Sequence, residues 1–309
     1  MTLQQLEYIV AVERTGQFIK AASQCSVTQS TLSAMIQKLE SELDVVIFDR
    51  ATKPISPTPQ GREILNQAKV ILYNVAQLRE SLLSVREQES GQLRIGIIPT
   101  IAPYIVPRLI SFLRESHPSI IPSIVEARTS VLVEELHNAE IDMALMSTPI
   151  GDDSLLEVPV YYEDFVAYIS PDSVDMLSSE ELQSSGLKSE NLWVLQEGHC
   201  LRSQVLDICG SELGESVVYE AGSIDTLVRI VESNGGYTLI PQLHVQFLSS
   251  EQQKFLRRVI SPCPNREVSL VVRRDFVRER MLNIVAEGVK TIVPTEMLDS
   301  RLQKYRIRI

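Results

Sequence analysis

The sequence predicts an α/β protein with an N-terminal all-α winged helix-turn-helix, joined by a long linker helix to two α/β subdomains. Three observations predict it. The first sixty residues carry helical apolar stripes interrupted at Gly16 and at the turn Cys25-Ser26-Val27. Residues 62 to 89 contain neither Pro nor Gly, while apolar residues recur every three or four positions. Beyond Gly91, short apolar runs alternate with helical patterns, the signature of strands laid parallel through helical crossovers.

Composition bounds the function. At 309 residues and 44% hydrophobic content, the chain can hold two or three domains with full cores. Four cysteines, Cys25, Cys200, Cys209 and Cys263, are too few and too scattered for a secreted disulfide scaffold. The start lacks a basic leader, and no apolar run approaches the length that spans a bilayer. These features predict a cytoplasmic chain without a membrane partner, in which a disulfide would be an event and not a fixture. The net charge is −11, yet residues 1–62 hold six Lys/Arg against six Asp/Glu, so the acidity lies in the remainder. Any nucleic-acid contact must therefore come from local placement of side chains in the head.

In the head, Leu3, Leu6, Ile9, Val10 and Val12 form a first helical stripe that ends at Gly16. A second helix from about Phe18 to Gln24 carries Ala21 and Ala22, small enough for close helix approach. Thr28 is an expected N-cap for a third helix with Leu32, Ile36, Leu39 and Leu43 facing inward. A short helix, a tight turn and a longer helix make a helix-turn-helix, whose second helix presents its N-terminal part to the major groove of double-stranded DNA. The candidate DNA-binding residues are Thr28, Gln29, Ser30, Thr31, Ser33 and Gln37, as hydroxyl and amide contacts, with Lys38 and Arg50 neutralising phosphate. Val45 to Arg50, followed by Pro54, Pro57 and Pro59, predicts a two-stranded wing, and Thr58 caps the next helix.

That helix runs from about Thr58 to Glu89. Leu65, Ala68, Leu72 and Val75, continued through Ile71, Leu78, Leu82 and Val85, keep the three-four spacing of a two-stranded coiled-coil seam. A helix packed on its own domain shows the same stripe, but the length and the polar remainder favour pairing with a second chain. In the last part, Leu93–Ile98, Ile120–Glu126 and Met143–Met146 read as strands separated by helices at Tyr104–Ser116 and Ser130–Asn138. A second set begins near Phe165, includes Leu192–Leu195 and a helix at Ser223–Glu232, and ends near Pro241. The chain then returns with a strand at Val268–Val272 and a helix at Glu279–Val293. Thr100 and Thr129 each follow a strand, where open α/β sheets line their clefts, although capping is the ordinary role of a Thr in such a place.

The stretch from Gly198 to Cys209 is chemically the most distinctive. Nine helical steps put Cys200 and Cys209 on opposite sides of a helix and roughly 13 Å apart along its axis. A disulfide needs Cα atoms within about 7 Å. If the segment is helical in the thiol form, bonding requires the helix to break, which is the physical form of a redox switch. His199, Arg202 and a helix start beside Cys200 favour its thiolate. Two cysteines acting as small buried hydrophobes is the plain alternative, and the spacing does not suit a structural zinc site.

Residues Ala21-Ala22, Val27-Thr28-Gln29-Ser30-Thr31-Leu32-Ser33, Ile36, Leu39-Glu40, Leu43 and Phe48-Asp49-Arg50 resemble the winged helix-turn-helix of LysR-type transcriptional regulators. Asp44 stands where that family has Gly, and Gln37 where it is often basic. Gly198-His199-Cys200-Leu201-Arg202-Ser203-Gln204 with Cys209 resembles the redox motif of the hydrogen-peroxide-sensing members, with Ser203 in place of their usual Asp. Ile98-Pro99-Thr100, Glu126-Ala127-Arg128-Thr129, Gly235 to Pro241 and Pro262 to Arg266 extend the likeness over essentially the whole chain.

The resemblance implies a DNA-binding head at 1–60, a dimerisation helix at 61–89 and a redox-sensing domain at 90–309. The last divides, on the periplasmic-binding-protein-like plan, into subdomain I (about 90–162 and 267–309) and subdomain II (about 163–266). It also implies a peroxide-reactive Cys200, a resolving Cys209, and a peroxide pocket of Thr100, Thr129, His199 and Arg266. Implied partners are DNA, hydrogen peroxide, further copies of the chain as dimer and tetramer, RNA polymerase and thiol reductants. No cofactor, metal or catalytic role is implied. A regulator responding to a small effector in the cleft, or a thiol peroxidase, are the other readings the residues allow.

Overall fold

The computed structural model describes residues 1–84, 90–187, 191–209, 222–261 and 263–298. The chain divides into two compact units near residue 88.

In the first unit, α1 (Leu3–Thr15) opens with a capping box in which Thr2 accepts from Gln5 N and the Gln5 side chain accepts from Thr2 N. It stops at Gly16, whose φ of 63° suits the left-handed cap. α2 (Phe18–Gln24) buries Ala21 and Ala22, and α3 (Gln29–Leu43) buries Leu32, Ile36 and Leu39 completely. Thr28 caps α3 by accepting from Thr31 N at 3.2 Å. Leu43, expected inward, is 36% exposed, because it ends α3 just before the left-handed Asp44 and outruns its packing partners. The wing is the antiparallel pair β1 (Phe48–Asp49) and β2 (Ser56–Pro57).

α4 (Pro59–Ser84) is capped by Thr58, which accepts from Gly61 N at 2.9 Å. A Cβ on Gly61 would lie 2.0 Å from the Ile47 carbonyl oxygen, so glycine lets α4 lie against the wing. Leu65 and Ala68 are buried in the core of the head, with Ile71 and Leu72 packed beside them. The first turns of the apolar stripe therefore serve the domain's own core, and Leu78 beyond them is 65% exposed. Val85 and the Leu82 side chain lie outside the described residues.

The second unit is built on one run of strands in the order β4-β3-β5-β10-β6-β9-β7, with β8 paired to β6. β3 (Gly91–Ile97) lies parallel to β4 (Ile120–Glu126) and β5 (Met143–Thr148), with crossovers through α5 (Ala102–Ser116) and α6 (Thr129–His137). β6 (Leu155–Ile169) is 15 residues long and serves both halves. Its first part pairs antiparallel with β10 (Asn265–Arg273), and its last residues pair with β8 (Tyr237–Pro241) and β9 (Leu256–Ile260). The second half is completed by α7 (Val174–Leu177), β7 (Glu181–Gln183), α8 (Cys200–Cys209), α9 (Ile224–Asn234) and α10 (Ser250–Gln253). α11 (Glu279–Ile292) returns to the first half, where Val285 and Val289 are fully buried.

Two apolar cores result. One gathers Leu93, Ile95, Leu109, Leu145, Tyr161, Leu270 and Val285; the other gathers Phe165, Tyr168, Val194, Val205, Leu227, Tyr237 and Leu239. The apolar run Leu192–Leu195, part of the second α/β set, forms no regular strand. Leu192 makes an isolated bridge to Tyr237, while Trp193 N donates to the Tyr237 carbonyl, so the segment is held as an irregular edge.

Candidate redox site and reading head

α8 begins on Cys200 and ends on Cys209, so the ten-residue helix fills the interval between the two thiols. Both are free. Cys200 is half-buried and packs against the first core, whereas Cys209, 5% exposed, belongs to the second. Leu201 and Val205 seat the helix in that second core. One helical turn after Cys200, fully buried Gln204 sends Nε2 across to Ser147 Oγ on β5, at 3.3 Å. α8 thus bridges the two halves through its middle as well as through its ends.

The environments of the two sulfurs differ. Burial pushes the Cys209 thiol up to about 11, against the opposing effect of the Tyr237 hydroxyl, which donates to Cys209 Sγ at 3.7 Å. Cys209 is therefore a protonated thiol at neutral pH. The Arg202 guanidinium, expected from sequence to favour the Cys200 thiolate, donates from Nη1 to the Leu195 carbonyl at 3.0 Å. His199, only 6% exposed, is held below its ordinary pKa first by burial and then by the charge of Arg128. At neutral pH it is an uncharged imidazole and not the cation the sequence suggested.

A fully buried charged cluster underlies the site. Arg266 and Glu163 are direct register partners on β10 and β6. Arg266 donates to Glu163 Oε2 from Nε at 2.9 Å and Nη2 at 2.7 Å, and both side chains are fully buried. Its Nη1 donates to Thr100 Oγ1 at 3.0 Å, and its Nη2 also reaches the Thr100 carbonyl and the Tyr104 hydroxyl. Burial works against the guanidinium's charge, but Glu163, Tyr104, Tyr161 and Cys200 outweigh it and hold its pKa above the ordinary value. Arg266 is a permanent cation whose field includes Cys200. Tyr104 stays protonated through burial and the nearby Glu163, and it donates to the Thr100 carbonyl.

The structure therefore brings Thr100, Arg266 and Cys200 into one electrostatic neighbourhood, with His199 next to Cys200 in the chain. Thr129 is the first residue of α6, and its buried hydroxyl has no hydrogen-bond partner, so it does not cap that helix. Its neighbour Arg128 donates to the Glu197 carbonyl at 3.2 Å, tying this helix start to the turn before α8. That turn needs Gly198, whose φ is 90°. Sequence reasoning missed Glu163, Tyr104, Gln204 and Tyr237. The legible signals were a charge inside an apolar strand for Glu163 and the four-residue spacing from Cys200 for Gln204.

In the head, the N-cap Thr28 and, on α3, Gln29, Ser30, Thr31, Gln37 and Lys38 are exposed, and Ser33 is half-buried. The Thr28 hydroxyl is already engaged with Ser30 and Thr31 at 2.9 and 2.8 Å. Arg50 is exposed but shares its charge with Glu40 at 3.0 Å and lies over the Phe18 ring. It is thus a positioned, partly neutralised cation and not a free one. Among the described residues, no helix is long and apolar enough to cross a membrane, and no group of His, Cys, Asp and Glu is arranged to hold a metal.

Comparison with known proteins accounts for both units. Residues 3–62 match the bacterial regulatory helix-turn-helix protein, lysR family, and residues 86–288 match the LysR substrate binding domain. The hydrogen peroxide-inducible genes activator of Haemophilus influenzae is 32% identical over 300 residues, covering 95% of this chain and 99% of that protein. The DNA-binding transcriptional dual regulator OxyR of Escherichia coli K12 is 33% identical, covering 94% and 95%. A full-length OxyR variant from Pseudomonas aeruginosa superposes with a TM-score of 0.78 at 31% identity, over 94% of this chain and 98% of that one. Reduced OxyR from Porphyromonas gingivalis gives 0.61 at 32% identity, over 70% and 99%. The chain belongs to the lysR family of bacterial regulatory helix-turn-helix proteins, alongside relatives named as hydrogen peroxide-inducible genes activators.

Proposed function

We propose that the chain is a transcription regulator that senses hydrogen peroxide by forming a reversible Cys200–Cys209 disulfide. The observation that carries this reading is the helix that starts on one cysteine and ends on the other, with the sulfurs seated in different cores. The names of the relatives support the same reading.

Peroxide enters beside Cys200, where the hydroxyls of Thr100 and Thr129, the neutral imidazole of His199 and the Arg266 cation are the polar groups that hold it. The Cys200 thiolate attacks one oxygen, the O–O bond breaks, and a sulfenic acid remains while hydroxide leaves as water. Arg266 stabilises the charge that passes from sulfur to the leaving oxygen. Because the helix holds Cys209 roughly 13 Å away, α8 must unwind before the second thiol can condense. Unwinding breaks the Gln204–Ser147 link and withdraws Cys209 from the second core, so the chemistry is converted into a change in how the sensor halves pack. That change re-aims two reading heads paired through α4 on a two-fold related DNA site. Strain in the refolded segment makes the bond reducible by cellular thiols, which reset the protein.

Dimer and tetramer formation, contact with RNA polymerase, a cytoplasmic location and the residue boundaries of head, linker and sensor belong to the same reading. In this reading the protein is a switch and not a thiol peroxidase, because the thiol pair shares its chain with a helix-turn-helix head. Mass measurement of alkylated protein before and after brief peroxide tests this directly. The parent loses two alkylation sites per chain; Cys200→Ser loses none and still binds DNA, and Cys209→Ser loses one, because Cys200 stops at the sulfenic acid. A Cys200→Ser protein that keeps its peroxide response overturns the assignment.

A further inference from the structure

Tyr237 opens β8, which pairs with β6 in the second half. Its residue pairs with Ile169 on β6, its N–H donates to the Asn191 carbonyl, and its own carbonyl accepts from Trp193 N. The preceding Gly236 has a φ of 80°, and a Cβ there would come within 2.2 Å of the Asn191 oxygen, so the strand and the 191–193 segment are locked at close range. The phenol is therefore fixed from below, only 3% exposed, and its hydroxyl donates to Cys209 Sγ at 3.7 Å. Nothing in the peroxide chemistry at Cys200 uses this contact, because it lies at the other end of α8.

We infer that Tyr237 is a positioning residue for the resolving thiol: from a fixed strand its hydroxyl holds Cys209 in the second core and so slows the second step of the switch. This rests on the reading proposed above. In that second step the Cys209 sulfur attacks the sulfur of the Cys200 sulfenic acid, the S–S bond forms, the S–O bond breaks, and the thiol proton and hydroxide leave as water. Tyr237 is unchanged by the reaction. Its contribution is to the geometry that precedes it, since Cys209 must leave the phenol before it can travel to Cys200. The buried, protonated thiol does not attack in place. A sensor built this way keeps a sulfenic acid long enough for cellular thiols to cancel a brief peroxide pulse before the refolding step is taken.

The test uses the full chain and the Tyr237→Phe variant, which removes one hydroxyl and keeps the ring. Rapid mixing with hydrogen peroxide, followed by trapping with a sulfenic-acid-specific diketone and mass measurement, gives the sulfenic acid lifetime. Loss of one hydrogen bond to a buried group predicts a lifetime roughly 2- to 10-fold shorter in the variant, with the rate of Cys200 oxidation unchanged. Alkylation in a Cys200→Ser background supplies a readout that general loosening would not give. Cys209 is modified faster relative to Cys263, a second thiol whose pKa burial pushes up to about 12. An unchanged or longer sulfenic acid lifetime, or an equal rise at Cys209 and Cys263, overturns the inference. A parent chain that forms neither sulfenic acid nor disulfide overturns the underlying reading instead, so the two failures are distinguishable.

Discussion

Removing either partner of the Arg266–Glu163 pair should be among the most damaging single changes in the sensor unit. Both side chains are fully buried, and the carboxylate takes two of the guanidinium's N–H donors and the Leu243 N–H at 2.8 Å. In Arg266→Met the carboxylate keeps only the Leu243 donor; in Glu163→Gln the guanidinium loses its counter-charge. Breaking a buried pair from one side costs about 3–5 kcal/mol, about a fifth or more of a typical domain stability of about 5–15 kcal/mol. The double variant removes both charges, so it should cost about as much as one single change, with a coupling energy of at least about 2 kcal/mol. Urea denaturation followed by the fluorescence of Trp193, the one tryptophan of the chain, which packs against the second core, measures all three. Single variants that lose less than about 1 kcal/mol, or a double variant that loses the sum, would refute the view that this pair is a desolvated frame for the site.

Further expectations follow from other parts of the structure. Cys209 has a folded-state pKa of about 11 against an ordinary value of 9.0, so its contribution to stability is complete below pH 9 and is lost as pH rises from 9 to 11. Comparing urea melts of the parent and Cys209→Ala over that range should isolate a difference of about 2–3 kcal/mol, and parallel curves would contradict the burial argument. Replacing Lys38, exposed on the reading helix, by Gln should weaken DNA binding equally for all sequences and reduce the log–log salt slope by about 1; a sequence-selective loss would assign Lys38 to base contact. Leu78→Glu, placed where α4 exposes 65% of a leucine, should shift the sedimentation equilibrium of the chain toward monomer without unfolding the head, whose core ends at Ile71 and Leu72.

The elements of the fold were legible wherever the cause is local. Thr28 and Thr58 announce their helices because a hydroxyl before an apolar stripe is a cap, and Gly16 announces a stop because its left-handed φ favours glycine. The alternation of strands and helices from Leu93 onward is equally local. What sequence could not reveal is set by contacts between distant residues. Glu163 and Arg266 are 103 positions apart, and only the register of β6 against β10 brings them together. The Cys209–Tyr237 contact needs the same long-range folding. β6 could not be read as one strand serving two halves, since its 15 residues contain both an apolar and a charged stretch. The stripe on α4 was ambiguous for another reason: Leu65 and Ala68 satisfy the spacing of a coiled-coil seam and of an intradomain contact alike, and the structure assigns them to the head's own core.

The separation of Cys200 and Cys209 by ordered helix is the proposition on which the switch depends, and amide hydrogen exchange across residues 200–209 in the thiol and disulfide forms measures it. The account predicts protected amides in the thiol form and loss of that protection once the disulfide has formed, in step with altered DNA binding. A disulfide that forms while the same amides stay protected would contradict it.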